Sequence, residues 1–521
     1  MVLAALLVYA VLGAVALKRP ISDFYAGGHA VPAAFNGMAI AAGLLAVLAY
    51  PALAGAVTRD GQGALLVLAG GVGGLLVIAF LIAPYLCRFG GYTLADFLGE
   101  RYGIAGLRPL SVAVVLLCSF PALAAVSLCL ALIVMRFFAL DLPASLGAAT
   151  AMLLLCTVLG GMRSASRTAV AQYAVLLAGT AVALGILFWQ QGAGGTRLEV
   201  RALIDAVSAL GLDHFLAPDR VNRGAAVFCL AAGIAALPHV VMRSFTARSA
   251  AEARSSFLFA VPLLLVLFVA APAYVPLFSV DPIPAGDGPT IALLGLVATT
   301  AIAALLALGS GLLLAMANAI SYDLYFKSWD VTAPADRRIL VARAAILLVA
   351  GLAAVAAFFL PRTMIVAAGY SLSLAASGLL PALLLGLWWK RANGQGALAG
   401  MIAGLVVCLY YLIVPRYFPY AFYETSRFLS SASEQQDAAY YALQRIYYLS
   451  DPENRPAVAL LWEMNVRAIA NWWGIKPMFA AVFGVPVGFV VAVATSLLTP
   501  APSEDVKSFV ADLRKPEPAA A

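Results

Sequence analysis

Residues 224–242 read GAAVFCLAAGIAALPHVVM, a run long enough to cross a bilayer and free of Asp, Glu, Lys and Arg. Inside hydrocarbon every backbone N–H and C=O must find a partner within the chain, so such a run folds as a helix. This one carries its own interruption. Gly233 loosens the backbone, and Pro238 removes a donor and strains the turn before it, with His239 next in line.

Twelve further apolar stretches surround it, at 2–17, 31–57, 63–86, 111–138, 142–160, 167–191, 255–279, 290–320, 339–360, 364–389, 395–414 and 477–498. Hydrophobic residues make up 64% of the 521-residue chain and charged residues 11%, too little charged surface for a water-soluble domain of this length. The alternating pattern of barrel strands is absent. The sequence therefore predicts an all-α membrane protein of about 13 transmembrane helices. One transmembrane domain covers 1–499, and 500–521 form a polar, flexible cytoplasmic tail. The stretch 2–17 reads as a short helix rather than a signal peptide, because basic residues (Lys18-Arg19) follow it and none precedes it.

The positions of Lys and Arg set the orientation. With the N-terminus outside, Lys18, Arg88, Arg101, Arg163, Arg243, Lys327, Lys390 and Lys507 fall in cytoplasmic segments, while Arg59 and Arg362 fall in short external loops. The chain reads as N-out and C-in in a bacterial inner membrane. Its net charge of +7 is accounted for by anionic lipid and calls for no nucleic-acid partner. The six cysteines show no CxxC pairing and read as small packing residues.

No Asp, Glu or Lys lies near the middle of a stretch, which argues against a carboxylate proton relay. Backbone carbonyls, hydroxyls and helix ends remain as ligand groups. The stretch 31–57 is punctuated as 224–242 is, by Gly37, Gly43, Pro51 and Gly55. If these two lead two five-helix halves, stretches two to six and seven to eleven, the halves form an inverted repeat whose broken helices hold a ligand between them. Ordinary membrane usage of Gly and Pro explains the same residues without a site. Candidates for the substrate path are Asn36, Gly43 and Tyr50, then Pro238 and His239, then Tyr370, Ser371, Ser373 and Ser377. A lone histidine also serves as a packed or interfacial residue, and serines as small residues at helix contacts.

Several motifs along the chain resemble the sodium:solute symporter family, its acetate/monocarboxylate permease branch in particular. They are SDFYAGGHAVPAAFNGMAIAAG (Ser22–Gly43), GYTLADFLGERYG (Gly91–Gly103), GGMRSASRTAVAQY (Gly160–Tyr173), LPHVVMRSFTARSAAEARSS (Leu237–Ser256), ANAISYDLY (Ala317–Tyr325) and FGVPVGFVVAVATSLLTPAP (Phe483–Pro502). The resemblance implies a leucine-transporter-like inverted repeat and alternating access. It also implies symport of a small organic anion such as acetate, propionate or pyruvate, usually with Na⁺ and with no cofactor. Helix-end N–H groups can hold such a carboxylate without a buried arginine.

The chain departs from the family at the cation ligands. Where relatives usually carry an acidic residue and small hydroxyls after Asn36-Gly37, it has Gly43, Ala46 and Ala49, and the paired Ser/Thr of stretch nine fall on Ala307 and Leu308. The carbonyls of Ala42, Leu45 and Ala304, with Ser310 one turn away, are the oxygens left for Na⁺. These losses motivate a second reading, a transporter-derived sensor or partner subunit that binds solute without cycling. No nucleotide loop, metal cluster, nucleophile–base pair or polar filter ring is visible, so neither an enzyme nor a channel is expected. The external insert 415–476, with SSASEQQDAAYYALQRIYYLS at 430–450, is expected to cap the vestibule, to meet a small membrane subunit, or to lie at the interface with Trp473 at headgroup depth.

Overall fold

A computed structural model describes residues 7–9, 11, 20–56, 62–158, 160–192, 220–270 and 288–515. The predicted first helix, 2–17, lies almost wholly outside them. Every other predicted stretch is helical over most of its described length, and the strand-like pairing among the described residues is one isolated bridge, Ser430 to Trp472.

The chain opens with a short helix α1 (Ile21–Ala26), a 3-10 turn (Gly27–His29) and α2 (Ala33–Ala56). Next come α3 (Gln62–Val77), a π turn (Ile78–Ile82) and α4 (Ala83–Phe89), then α5 (Leu94–Tyr102), α6 (Leu107–Phe138), α7 (Leu142–Thr157) and α8 (Gly161–Gly192). The second half begins with α9 (Arg220–Ala236), α10 (Pro238–Val241) and a 3-10 turn (Met242–Thr246). It continues as α11 (Ala250–Ala270), α12 (Gly288–Asn318) running into a π segment (Ala319–Trp329), α13 (Ala335–Phe359) and α14 (Pro361–Trp388). Beyond the halves lie α15 (Gly394–Tyr417), the insert helices α16 (Pro419–Ser426), α17 (Glu434–Leu449) and α18 (Arg455–Ile469), then α19 (Ala481–Leu498) and α20 (Glu504–Asp512).

Among the described residues eight helices are long and apolar enough to cross a membrane, and eleven if each sharply bent pair counts as one span. The shortfall from thirteen has two causes: 2–17 is not described, and α7, at 16 residues, is joined to α8 as a bent pair.

The two halves pack as an inverted repeat. In the first, α2 packs on α11; in the second, α9 packs on α3. The same exchange relates α6–α14 to α12–α8, α2–α8 to α9–α14, and α6–α13 to α12–α7. Five crossings per half start the second half on the opposite side, so the repeats are antiparallel. Glycines make the equivalent contacts close. A Cβ on Gly37 of α2 would lie 2.9 Å from Phe259 Cβ of α11, and one on Gly74 of α3 would lie 2.7 Å from Ile234 Cβ of α9. Small residues let helix backbones approach where lipid supplies no hydrophobic drive.

Buried side chains fall into two separate apolar clusters. One joins α2, α3, α8, α9 and α11 with α14, α15 and α19; the other joins the second half of α6 (Leu123–Val134) with α7; α12 and α13 contribute to both, as does α6 through Leu107–Cys118 in the first. Ala46, Leu116, Leu154 and Ile320 touch both.

Two expectations are corrected here. The helix of stretch 31–57 is not broken at Gly37, Gly43 or Pro51: α2 is helical from Ala33 to Ala56. The break precedes it, where α1 and its 3-10 turn meet α2 at 101°. Gly27, Gly28 and His29 take positive φ (63°, 72° and 51°) and Pro32 follows, so the turn is built there. Gly37 is spent on contact with α11, which requires a continuous helix. The tail is also not loose. α20 docks with Val510 and Leu513 buried, Arg88 Nη1 donating to Leu513 O at 2.9 Å and Arg514 Nη2 donating to Leu387 O at 2.6 Å.

Candidate functional site: the broken helix and the seal beneath it

The second break stands where the sequence places it. Pro238 cannot continue the hydrogen-bond ladder, Leu237 turns extended (φ −62°, ψ 119°), and α9 meets α10 at 52°. Within the inverted repeat the two breaks do not occupy equivalent places. They meet at one end of the molecule instead. Val31 N donates to Thr246 O at 3.0 Å, His29 Nδ1 lies 2.6 Å from Phe245 O, and Asn36 Nδ2 donates to Arg243 O at 3.0 Å and to Ser256 Oγ at 3.3 Å. Asn36 thus fastens α2 to the broken helix and to α11, while its own Oδ1 stays buried without a partner.

His239 is 7% exposed, and neither ring nitrogen has a partner. Its ring lies on Gly311 of α12, with carbons 3.5–3.8 Å from where a Cβ would be. Four residues on, Arg243 is 4% exposed; its Nη1 donates to Ser166 Oγ of α8 at 2.8 Å, and no carboxylate among the described residues pairs with it. A buried guanidinium without a counter-ion is costly, and an unpaired imidazole beside the same break adds to the cost. An anion placed between them would relieve both. Positive-inside counting assigns Arg243 to a cytoplasmic segment, whereas the 3-10 turn folds it into the core.

Gly43, on the same side of α2 as Asn36 and two turns along, is buried, yet a Cβ there would meet no described atom within 4 Å. Among the described residues, nothing beyond α2 itself lies against it at this point. Tyr50 is helical, and its side chain lies outside what is described. On α14, Tyr370 is half-buried, and Ser371 is buried with an unpartnered hydroxyl. Ser373 donates to Met478 O at 2.7 Å, and a Cβ on Gly484 of α19 would press on Ser377. The last two face the supporting helices, the packing role that serines share with ligand roles. Of the cation candidates, Ala42 and Leu45 sit inside continuous α2 and Ala304 inside α12, where the helix's own ladder engages carbonyls. Ser310 Oγ donates to Leu306 O at 2.6 Å.

Below the breaks the sequence motifs converge into a seal. Asp23 of α1 pairs with Arg163 of α8 at 2.6 Å, and Gly28 (φ 72°) is needed because a Cβ there would fall on that carboxylate. Tyr25 OH donates to Ser321 Oγ at 3.1 Å, and Asn318 Nδ2 donates to Tyr25 O at 3.3 Å. Tyr25, Tyr92 and Tyr322 cluster in tilted and edge-on contacts at 5.0–5.5 Å between ring centres. Thr93 Oγ1 donates to Asp323 Oδ2 at 2.7 Å. At the rim Lys327 lies 3.6 Å and Arg108 3.5 Å from Asp96; burial pushes the Asp96 carboxyl above its usual value while these cations pull it back.

Comparison with known proteins decides what this architecture is. The chain matches the sodium:solute symporter family over residues 24–281 and 288–404. The chain belongs to that family. An uncharacterized symporter of Cupriavidus necator is 27% identical to it, covering 98% of this chain and 92% of that one, and an uncharacterized symporter of Bacillus subtilis is 28% identical, covering 75% and 80%. Among solved structures, a Na⁺-coupled sialic acid symporter in a substrate-bound outward-open state superposes with a TM-score of 0.69 at 15% identity, covering 96% of this chain and 97% of that one. That likeness establishes the leucine-transporter-like fold of this symporter. The protein is a multi-span symporter-type membrane transporter.

Proposed function

We propose that this symporter carries a small organic anion, a monocarboxylate of the size of acetate, propionate or pyruvate, by alternating access. The observation that carries the reading is Arg243, a buried cation with no acidic partner among the described residues, four residues from the unpaired ring of His239. A carboxylate offers this pair a charge and two acceptors. The face of Gly43, which no described atom beyond α2 meets, provides room in this reading, and Ser371 provides a further free hydroxyl.

The side chains support no sodium site at the family's usual place. Ala307 and Leu308 bring methyl and isobutyl groups where a hard cation wants oxygen, and the Ser310 hydroxyl is engaged within its own helix. The driving ion in this proposal is therefore not held there, and a proton gradient is the first substitute to test. The seal end, which carries Arg88, Arg101, Lys327 and α20, faces the cytoplasm in this proposal.

Uptake of labelled acetate into proteoliposomes, run with a Na⁺ gradient, with K⁺ at low external pH, and with uncoupler, tests the reading. Accumulation that survives Na⁺ removal and collapses with uncoupler is expected. Absence of accumulation for every monocarboxylate under every gradient overturns it.

A further inference from the structure

The insert after α15 carries an apolar face that none of the described residues covers. On α18 one side is packed inward, with Trp462, Val466 and Ile469 buried, Trp462 stacking on Tyr420 of α16 at 4.3 Å. The opposite side is apolar too. Leu460, Leu461 and Met464 are 59%, 56% and 62% exposed, with Ala457 and Ala468 a turn to either side on the same face. Helical spacing puts these five on one stripe, flanked by Glu463 and Arg467. Water does not tolerate such a stripe without reason, and its surroundings show what covers it.

The helix is tied to the membrane surface of the molecule at its C-terminal end, where Arg467 Nη2 donates to Arg416 O at 3.2 Å. Arg416 is one residue from the end of α15. The exposed face of α15 is a stripe of its own, Ile402, Val406, Ile413 and Tyr417, which is the lipid-facing surface of a spanning helix. The Arg467–Arg416 hydrogen bond holds the C-terminal end of α18 beside the end of α15. Charged residues edge the α18 stripe, as at a headgroup layer.

We propose that α18 is an in-plane anchor: it lies in the boundary between headgroups and acyl chains of the leaflet opposite the seal, with Leu460, Leu461 and Met464 in lipid. The occupant of this face is the bilayer itself, rather than a subunit or a second copy. The anchor fixes the height of α16 and α17 over the mouth of the molecule. It rests on no assumption about the transported solute.

Spin labels at Leu461→Cys, Glu434→Cys and Ile402→Cys, read in proteoliposomes with oxygen and a water-soluble nickel relaxant, test the proposal. The unsubstituted chain, labelled identically, sets the background. The label at position 461 is expected to show severalfold higher relative oxygen exposure than that at 434, at a depth shallower than 402. Nickel exposure equal to that at 434 means that the face is in water, and overturns the proposal. A label immobilised and shielded from both relaxants means that protein covers it, and overturns the proposal equally.

Discussion

His239 and Arg243 owe their importance to what they lack. Both are buried at the break, and neither meets a carboxylate among the described residues. A hydrogen bond to a charged group is worth about 1.5–3 kcal/mol, and about 1.4 kcal/mol is tenfold in affinity. His239→Gln should therefore weaken carboxylate binding roughly 10–100-fold, measured by calorimetry on purified protein, while the unfolding temperature stays near that of the parent. Gly43 makes the complementary prediction. Because a Cβ there meets no described atom, Gly43→Val should fold normally yet raise the KM for larger anions more than for acetate. An equal effect on all anions would mean that this face does not receive solute. At the seal, Asp23→Asn removes an ion pair of 2.6 Å whose acid is almost fully buried. It should favour the inward-open state about tenfold or more, seen as faster maleimide labelling of Ser166→Cys in that background.

At the scale of elements, glycine and proline carry different information, and the sequence allows them to be confused. Pro238 broke its helix as read, since a missing N–H acts wherever it falls. Gly37 in α2 did not, because its hydrogen side chain admits α11 and leaves the ladder intact. What distinguishes the two uses is the neighbour, and the neighbour lies more than two hundred residues away. The actual first break lies at Gly27, Gly28 and Pro32, before and at the start of the predicted stretch 31–57. Spans were legible because lipid imposes one solution on each apolar run. Arg243 is hidden from the charge count that sets the expected orientation, since a buried arginine and a loop arginine look alike in it. The tail gives another prediction at this scale. Because Arg88 and Arg514 join α20 to α4 and α14, truncation after residue 502 should lower the melting temperature and expose Leu387 to labelling when it is replaced by Cys.

Over the whole molecule, the two apolar clusters group the helices. Helices α2, α3, α9 and α11 belong to one cluster and α7 to the other, while α6, α12 and α13 contribute to both, and Ala46, Leu116, Leu154 and Ile320 pack against both. In the proposed alternating access α2, α3, α9 and α11 move as a unit, because bending that group would break close glycine packing. Spin-label distances within that unit should therefore stay constant on adding solute, while distances between α11 and α13 shift. Constant distances throughout would favour the reading in which solute binds without transport. That alternative and the transport reading part most cleanly in one assay. Proteoliposomes loaded with unlabelled acetate are diluted into labelled acetate with all gradients dissipated, and counterflow is followed. The alternating-access account predicts transient accumulation of label inside, reduced strongly by His239→Gln; acetate binding with no exchange at all would contradict it.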